Sequence, residues 1–191
     1  MKKKILVVGP ALSRSGYGEH CRFLMRSLRK YESFFEIFLN NTQWGNTNWI
    51  FEDNEERKWM DKILKKTILY DNTNNNPNRY DISAQVSIPN EWKKLAPINI
   101  GVTAGIETTM VTGEWVIQGL EMDHIIVVSE HSKKSYVDAV YDATNKETGK
   151  IVLKRLLMNF QIENAKFICF MEICLMMKFI LYIFILKLNV I

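Results

Sequence analysis

Short apolar segments alternate with helical patterns along most of the chain, and this alternation constrains the fold more than any other feature. Residues 5–8 form a continuous apolar run typical of a buried strand, and residues 35–39, 81–86, 98–102 and 124–128 are interpreted as further strands. After the first run, Leu24, Met25 and Leu28 share one helical face, and Arg22 is expected to point away from it. Strands that alternate with helices indicate an α/β protein with a doubly wound, mostly parallel sheet.

The composition argues against several classes of protein. The 191 residues are enough for one ordinary domain with a short appendage. A net charge of +4, with basic residues scattered among acidic ones, argues against a nucleic-acid partner. The three cysteines and three histidines lack zinc-ligand spacing, so we expect no metal site. The basic start precedes an apolar run too short for a secretory signal, which predicts a cytoplasmic protein.

A change of composition predicts two segments, a Rossmann-like domain over residues 1–155 and a hydrophobic tail over residues 156–191. From residue 165 onward there is no Gly, Pro, Ser, Thr or Asp, and AT-rich codons encode most of the residue types present. We interpret the tail as the product of a frameshift or truncation; a membrane anchor and a native buried segment are the alternatives. Membrane contact is not favoured, because the apolar residues of 167–186 contribute about −5 kcal/mol of insertion free energy, which Glu172 and Lys178 offset at a cost of about 5 kcal/mol.

The loop after the first strand holds the first candidate site residues, since ligands of open parallel sheets bind beyond the carboxyl ends of the strands. Gly16, Tyr17 and Gly18 lie there, where glycine lets the backbone approach a ligand and the following helix offers free N–H groups. A tight turn that needs positive φ is the alternative. The G-x-G-x-x-G spacing and the phosphate-loop motif are both missing, so we expect no nucleotide cofactor.

Two later loops carry polar side chains. Glu107 and Thr108 follow the strand at 98–102, where a carboxylate and a hydroxyl can bind sugar hydroxyls; a solvated loop acid is the alternative. Ser129 and His131 follow the strand at 124–128, and the histidine could titrate near neutral pH. The alternative is that Ser129 only caps the next helix.

Five segments in a fixed order carry a family resemblance. They are Ser15–His20, Ile88–Trp92, Asn99–Thr108, Glu114–Trp115 and Met122–Lys133. In this order they resemble the N-terminal domain of retaining glycosyltransferases of the GT-B fold, the glycosyltransferase family 4 type, and especially its phage-like members. The resemblance covers roughly residues 1 to 150.

The resemblance implies the acceptor-side half of a hexosyltransferase, which moves a sugar from a nucleotide-diphosphate sugar to a glycan or other acceptor. It places Gly16, Tyr17 and Gly18 at the cleft between two domains, with the side chains of both later loops on the cleft wall. The basic groups that stabilise a leaving diphosphate belong to the family's second domain, so this chain is expected to be inactive alone. The alternative function is a non-catalytic α/β binding or scaffold module, with membrane association through the tail as one version of it.

Overall fold

The described part of the chain is an alternation of strands and helices. In a computed structural model, residues 2–141 are described, together with strand backbones at 143–144, 151–153 and 167–169. The strands are β1 (Lys3–Gly9), β2 (Phe35–Asn41), β3 (Ile82–Val86), β4 (Ile98–Thr103), β5 (His124–Val127), β6 (Ala143–Thr144), β7 (Ile151–Leu153) and β8 (Phe167–Cys169). The helices are α1 (Gly16–Arg29), α2 (Glu55–Thr73), α3 (Gly113–Leu120) and α4 (Glu130–Val137), with a 3₁₀ turn at Pro89–Glu91.

One parallel sheet organises these elements. Its strand order is β2-β1-β3-β4-β5-β8, and each neighbouring pair is parallel. Strands β6 and β7 form a separate antiparallel pair. The chain runs from β1 to β2 on one side and returns to β3 on the other, so a topological switch point lies between β1 and β3. The predicted α/β class with a parallel sheet is confirmed, and the architecture is consistent with a Rossmann-like fold.

Both faces of the sheet are covered, because alternate side chains of a strand point to opposite sides. On β1, Ile5 and Val7 belong to the core cluster that contains Leu24 and Met25 of α1. Leu6 lies in a second cluster on the other face, with Phe38 and Tyr80. A third cluster joins β5 to α3 and α4 through Ile125, Val116 and Tyr136. Burial on both faces explains the continuously apolar run at residues 5–8 of β1.

Helix α2 lies along the outer edge of β2. Its Thr67 is 3% exposed, and the Thr67 hydroxyl accepts a hydrogen bond of 2.9 Å from the backbone N–H of Leu39. The outward-facing N–H of Leu39 on this edge strand is therefore hydrogen-bonded within the protein and not to water.

Helix α2 also extends into a segment whose sequence is typical of a loop. It ends at Thr73, whereas the polar run Asp71–Asn78 is typical of a surface loop. Its last turn is held by the Asp71 carboxylate, which accepts hydrogen bonds of 2.6 Å from both Arg79 and the Tyr80 hydroxyl.

The hydrophobic tail predicted for residues 156–191 lies outside the described residues, apart from the backbone of β8. Within the described ranges, none of the helices has both the length and the apolar character needed to cross a bilayer.

Candidate functional site

The two glycines near the start of α1 have different surroundings. Helix α1 begins at Gly16, so Gly16, Tyr17 and Gly18 lie in its first turn and not in the preceding loop. Ser15 caps the helix and accepts a hydrogen bond of 3.0 Å from Gly18 N. Neither glycine has a positive φ, so the tight-turn alternative is wrong for both. A Cβ on Gly18 would lie 2.1 Å from Ser13 O, whereas one on Gly16 would meet nothing within 4 Å. Close approach of two backbone segments therefore requires Gly18.

Tyr17 connects α1 to the carboxyl end of β4. Its hydroxyl lies 2.9 Å from Thr103 Oγ1, and its ring packs against Trp44 with centroids 4.4 Å apart. Burial raises the pKa of Tyr17, and the hydrogen bond with Thr103 only partly opposes that rise. Tyr17 is thus a neutral hydroxyl at neutral pH, held between the loop after β2 and the end of β4.

A buried arginine holds the loop between β1 and α1. Arg22 is 7% exposed, and its Nη1 donates hydrogen bonds of 2.8 Å to Ala11 O and to Ser13 O. Its Nη2 donates to Glu19 at 2.7 Å. The expectation that Arg22 points away from the core is wrong, because the loop carbonyls need a donor once they are buried.

Backbone hydrogen bonds join the loop after β1 to the loop after β2. Arg14 N donates to Asn48 O at 2.7 Å, and Ile50 N donates to Leu12 O at 2.9 Å. The Asn41 side chain accepts from Leu12 N at 2.9 Å. Two neighbouring loops at the carboxyl edge of the sheet are therefore fixed to each other.

A charged cavity of about 480 Å³ lies beside Gly16. The three arginines that line it are all paired with carboxylates, which would compete with a phosphate for them. The ion pairs are Arg14–Glu52, Arg22–Glu19, Arg26–Glu19 and Arg26–Glu56. Burial raises the pKa of Glu19, but hydrogen bonds from two of these arginines outweigh it and hold that pKa below its ordinary value.

The loops after β4 and β5 pack against each other. Gly105 has φ +84°, as a sharp turn requires, and a Cβ at this position would lie 2.4 Å from Ser132 Oγ. Ser132 Oγ donates to Ala104 O at 3.2 Å. Ser129 caps α4, since its Oγ accepts from Ser132 N at 3.1 Å. The simpler alternative for Ser129, an N-cap, is what the structure contains.

The other predicted site residues lie on the surface. Glu107, Thr108 and His131 are exposed, and the Thr108 hydroxyl donates to Met110 O at 2.8 Å. The structure therefore joins Tyr17 to the end of β4, and it joins Ser132, the partner of the Ser129 cap, to the loop around Gly105. It leaves the Glu107 carboxylate and the His131 imidazole exposed to solvent.

A second cavity, of about 570 Å³, lies over the carboxyl ends of β1, β2 and β3. It adjoins the switch point between β1 and β3, where open parallel sheets bind their ligands. The residues that line it are Val8, Gly9, Asn40, Thr42, Gln43, Gln85, Ser87, Asn90, Glu91, Lys93 and Leu95. Sequence reasoning missed this site, which we call the amide cavity. The polar residues Ser83 and Gln85 inside a strand expected to be buried were the available signal.

Buried side chains of β3 and β4 fix one wall of the amide cavity. Gln85 is 3% exposed; its Oε1 accepts from Lys93 N at 3.0 Å, and its Nε2 donates to Lys93 O at 2.6 Å. Asn99 Oδ1 accepts from Leu95 N at 2.9 Å and from Ala96 N at 3.1 Å. Side chains of the sheet thus form hydrogen bonds with the backbone groups of the irregular segment that connects β3 to β4 in place of a helix.

The fold and this site define an α/β protein with an open parallel sheet and a polar cavity at its switch point. Within the described residues, no group of three or more His, Cys, Asp or Glu side chains could hold a metal ion. No family model, curated protein or solved structure matches the chain.

Proposed function

We propose that the chain is the acceptor-side half of a cytoplasmic GT-B glycosyltransferase, which transfers a sugar from a nucleotide-diphosphate sugar to a glycan or other acceptor. The observation that best supports this function is the arrangement around the switch point. The first turn of α1, the Tyr17–Thr103 hydrogen bond and the amide cavity all lie at the carboxyl ends of the central strands. The order of the loops resembles that of the same enzyme family.

In this proposal the chain binds and orients the acceptor. It places the partly buried Tyr17 hydroxyl, which shares a hydrogen bond with the fully buried Thr103, on the wall that faces a donor domain, where a hydroxyl can both donate to and accept from a sugar. Orientation of the reacting hydroxyl by itself lowers the activation barrier of transfer, because the two reactants no longer have to meet by a bimolecular collision.

Stabilisation of the departing diphosphate is assigned to another domain. The arginines that line the cavity beside Gly16 are bound to carboxylates, and a diphosphate needs cations or helix N-termini aimed at its developing charge. The same pairing favours the second candidate function, a non-catalytic sugar-binding module that retains the sheet and carries out no transfer.

A chimera tests the enzyme. The full chain, fused to the donor domain of a GT-B glycosyltransferase whose nucleotide binding is verified separately, should hydrolyse or transfer a nucleotide sugar. Tyr17→Ala should reduce that turnover at least tenfold, and Tyr31→Ala serves as a control on the same side chain type. A chimera that binds nucleotide but neither hydrolyses nor transfers any nucleotide sugar contradicts the enzyme and leaves the binding module.

A further inference from the structure

Most of the residues that line the amide cavity are uncharged, and they include both polar and apolar side chains. Val8 and Leu95 supply apolar surface, and Asn40, Gln43 and Asn90 supply side-chain amides. Each amide carries both a donor and an acceptor. A pyranose ring presents the matching chemistry, with hydroxyls around its rim and C–H groups on its faces. The volume of about 570 Å³ lies within the range of roughly 300 to 1,000 Å³ of small-molecule sites.

The charges of the cavity argue against an anionic ligand. Among the residues that line it, Lys93 is the only cation and Glu91 the only carboxylate, so their formal charges cancel. The N-terminal turn of α1, a natural anion site, instead lines the charged cavity through Gly16. A phosphate would therefore meet one lysine and one repelling carboxylate.

The walls of the cavity are fixed without a ligand. Gln85 binds both the N–H and the C=O of Lys93, and Thr42 N donates to Gly9 O at 3.1 Å. A site that needs little ordering loses less free energy on binding. Polar side chains on a fixed backbone select a ligand by the positions of its hydroxyls.

From these observations we propose that the amide cavity is the binding site for an uncharged saccharide, whose hydroxyls bind Asn40 and Asn90. The assignment of this saccharide as the acceptor rests on the proposed function; the assignment of the cavity and of its ligand class does not. The balanced charges disfavour a phosphorylated lipid headgroup and a nucleic-acid backbone as the group that occupies the cavity.

Titration of the full chain with maltose, lactose, sucrose, glucose 6-phosphate and inorganic phosphate, followed by calorimetry and ligand-observed NMR, tests the site. At least one neutral disaccharide should bind, and inorganic phosphate should not compete with it. Asn40→Ala and Asn90→Ala should each weaken that binding about 5- to 10-fold, as expected for the loss of one hydrogen bond. Asn75→Ala, an exposed amide in the loop before β3, should leave it unchanged.

The outcomes separate this inference from the proposed function. Disaccharide binding that the two cavity variants weaken, in a chimera that transfers nothing, supports the saccharide site and contradicts the transferase. If the chimera transfers sugar and neither Asn40→Ala nor Asn90→Ala changes its rate, the saccharide site is contradicted. Failure of every neutral saccharide to bind, or tighter binding of glucose 6-phosphate with competition by inorganic phosphate, also overturns it.

Discussion

Tyr17, in the first turn of α1, and Thr103, the last residue of β4, share a hydrogen bond of 2.9 Å between their hydroxyl oxygens across 86 residues of sequence. Thr103 is fully buried, and Tyr17 is partly buried against Trp44. The contact fixes the start of the first helix relative to a central strand on the far side of the switch point.

Loss of this contact should be measurable as stability. Tyr17→Phe removes the phenolic oxygen and retains the ring, so the free energy of unfolding should fall by about 1 kcal/mol. Tyr31→Phe changes a tyrosine that packs at the rim of the main core cluster, and it should change stability by less than about 0.5 kcal/mol. Urea denaturation followed by circular dichroism measures both. Equal effects of the two substitutions would contradict the role given to the hydroxyl pair.

The two glycines of the first turn of α1 should respond oppositely to the same substitution. Gly18→Ala forces a Cβ against Ser13 O, 2.1 Å away, and should destabilise by about 1 to 3 kcal/mol. Gly16→Ala meets open space and has no positive φ, so it should be neutral or stabilise by up to about 1 kcal/mol. Thermal unfolding of the pair is the measurement. Similar melting temperatures for both variants would show that backbone approach does not require Gly18.

Arg22 should contribute more to stability than any exposed arginine of the same helix. Arg22→Met leaves the carbonyls of Ala11 and Ser13 without this donor and leaves Glu19 with Arg26 as its remaining partner, which should cost about 3 kcal/mol. Arg29→Met is the matched control, because Arg29 is exposed and should cost less than about 1 kcal/mol. Chemical denaturation gives both values. In addition, hydrogen exchange should accelerate at Ser13 N in the first variant only, and unchanged exchange there would contradict the loop-holding role.

Glu19 should make stability depend on acid pH. Its folded-state pKa lies below the ordinary 4.5, so the unfolded chain takes up the proton first as pH falls. The stabilisation is complete above about pH 5 and is lost as pH falls through the folded-state pKa. Glu19→Gln should therefore reduce stability at pH 7, and the difference from the natural chain should shrink between pH 5 and pH 3. A stability difference between Glu19→Gln and the natural chain that stays constant between pH 5 and pH 3 would contradict the stabilising role of the Glu19 ion pairs.

Local pattern was enough to predict the parallel sheet. The run Ile5–Val8 is apolar because both faces of its strand are covered, and that property is visible in the sequence. The C-terminal end of α2, by contrast, could not be predicted from the sequence. Its last turn depends on Asp71 binding Arg79 and Tyr80, a contact made only after the chain has turned back toward β3.

The site was less predictable than the fold. A sharp turn at Gly105 is consistent with the sequence and has φ +84°, but the approach of Gly18 to the Ser13 carbonyl depends on the tertiary fold. Arg22 has the sequence pattern of a solvated residue. Nothing in the local sequence indicates that this charged side chain will bind the carbonyls of the preceding loop. The amide cavity draws its lining from residue 8 to residue 95, and no local pattern connects residues so far apart in sequence.

The contact of Thr67 with Leu39 has a consequence for how this chain can meet other chains. A strand at a sheet margin normally offers unpaired amides, which can template aggregation or accept an extended peptide. On the β2 side a nineteen-residue helix covers that margin and satisfies the Leu39 amide. Strand addition from that direction would require the helix to detach first, so recognition of another chain through this side must use side chains instead of backbone pairing.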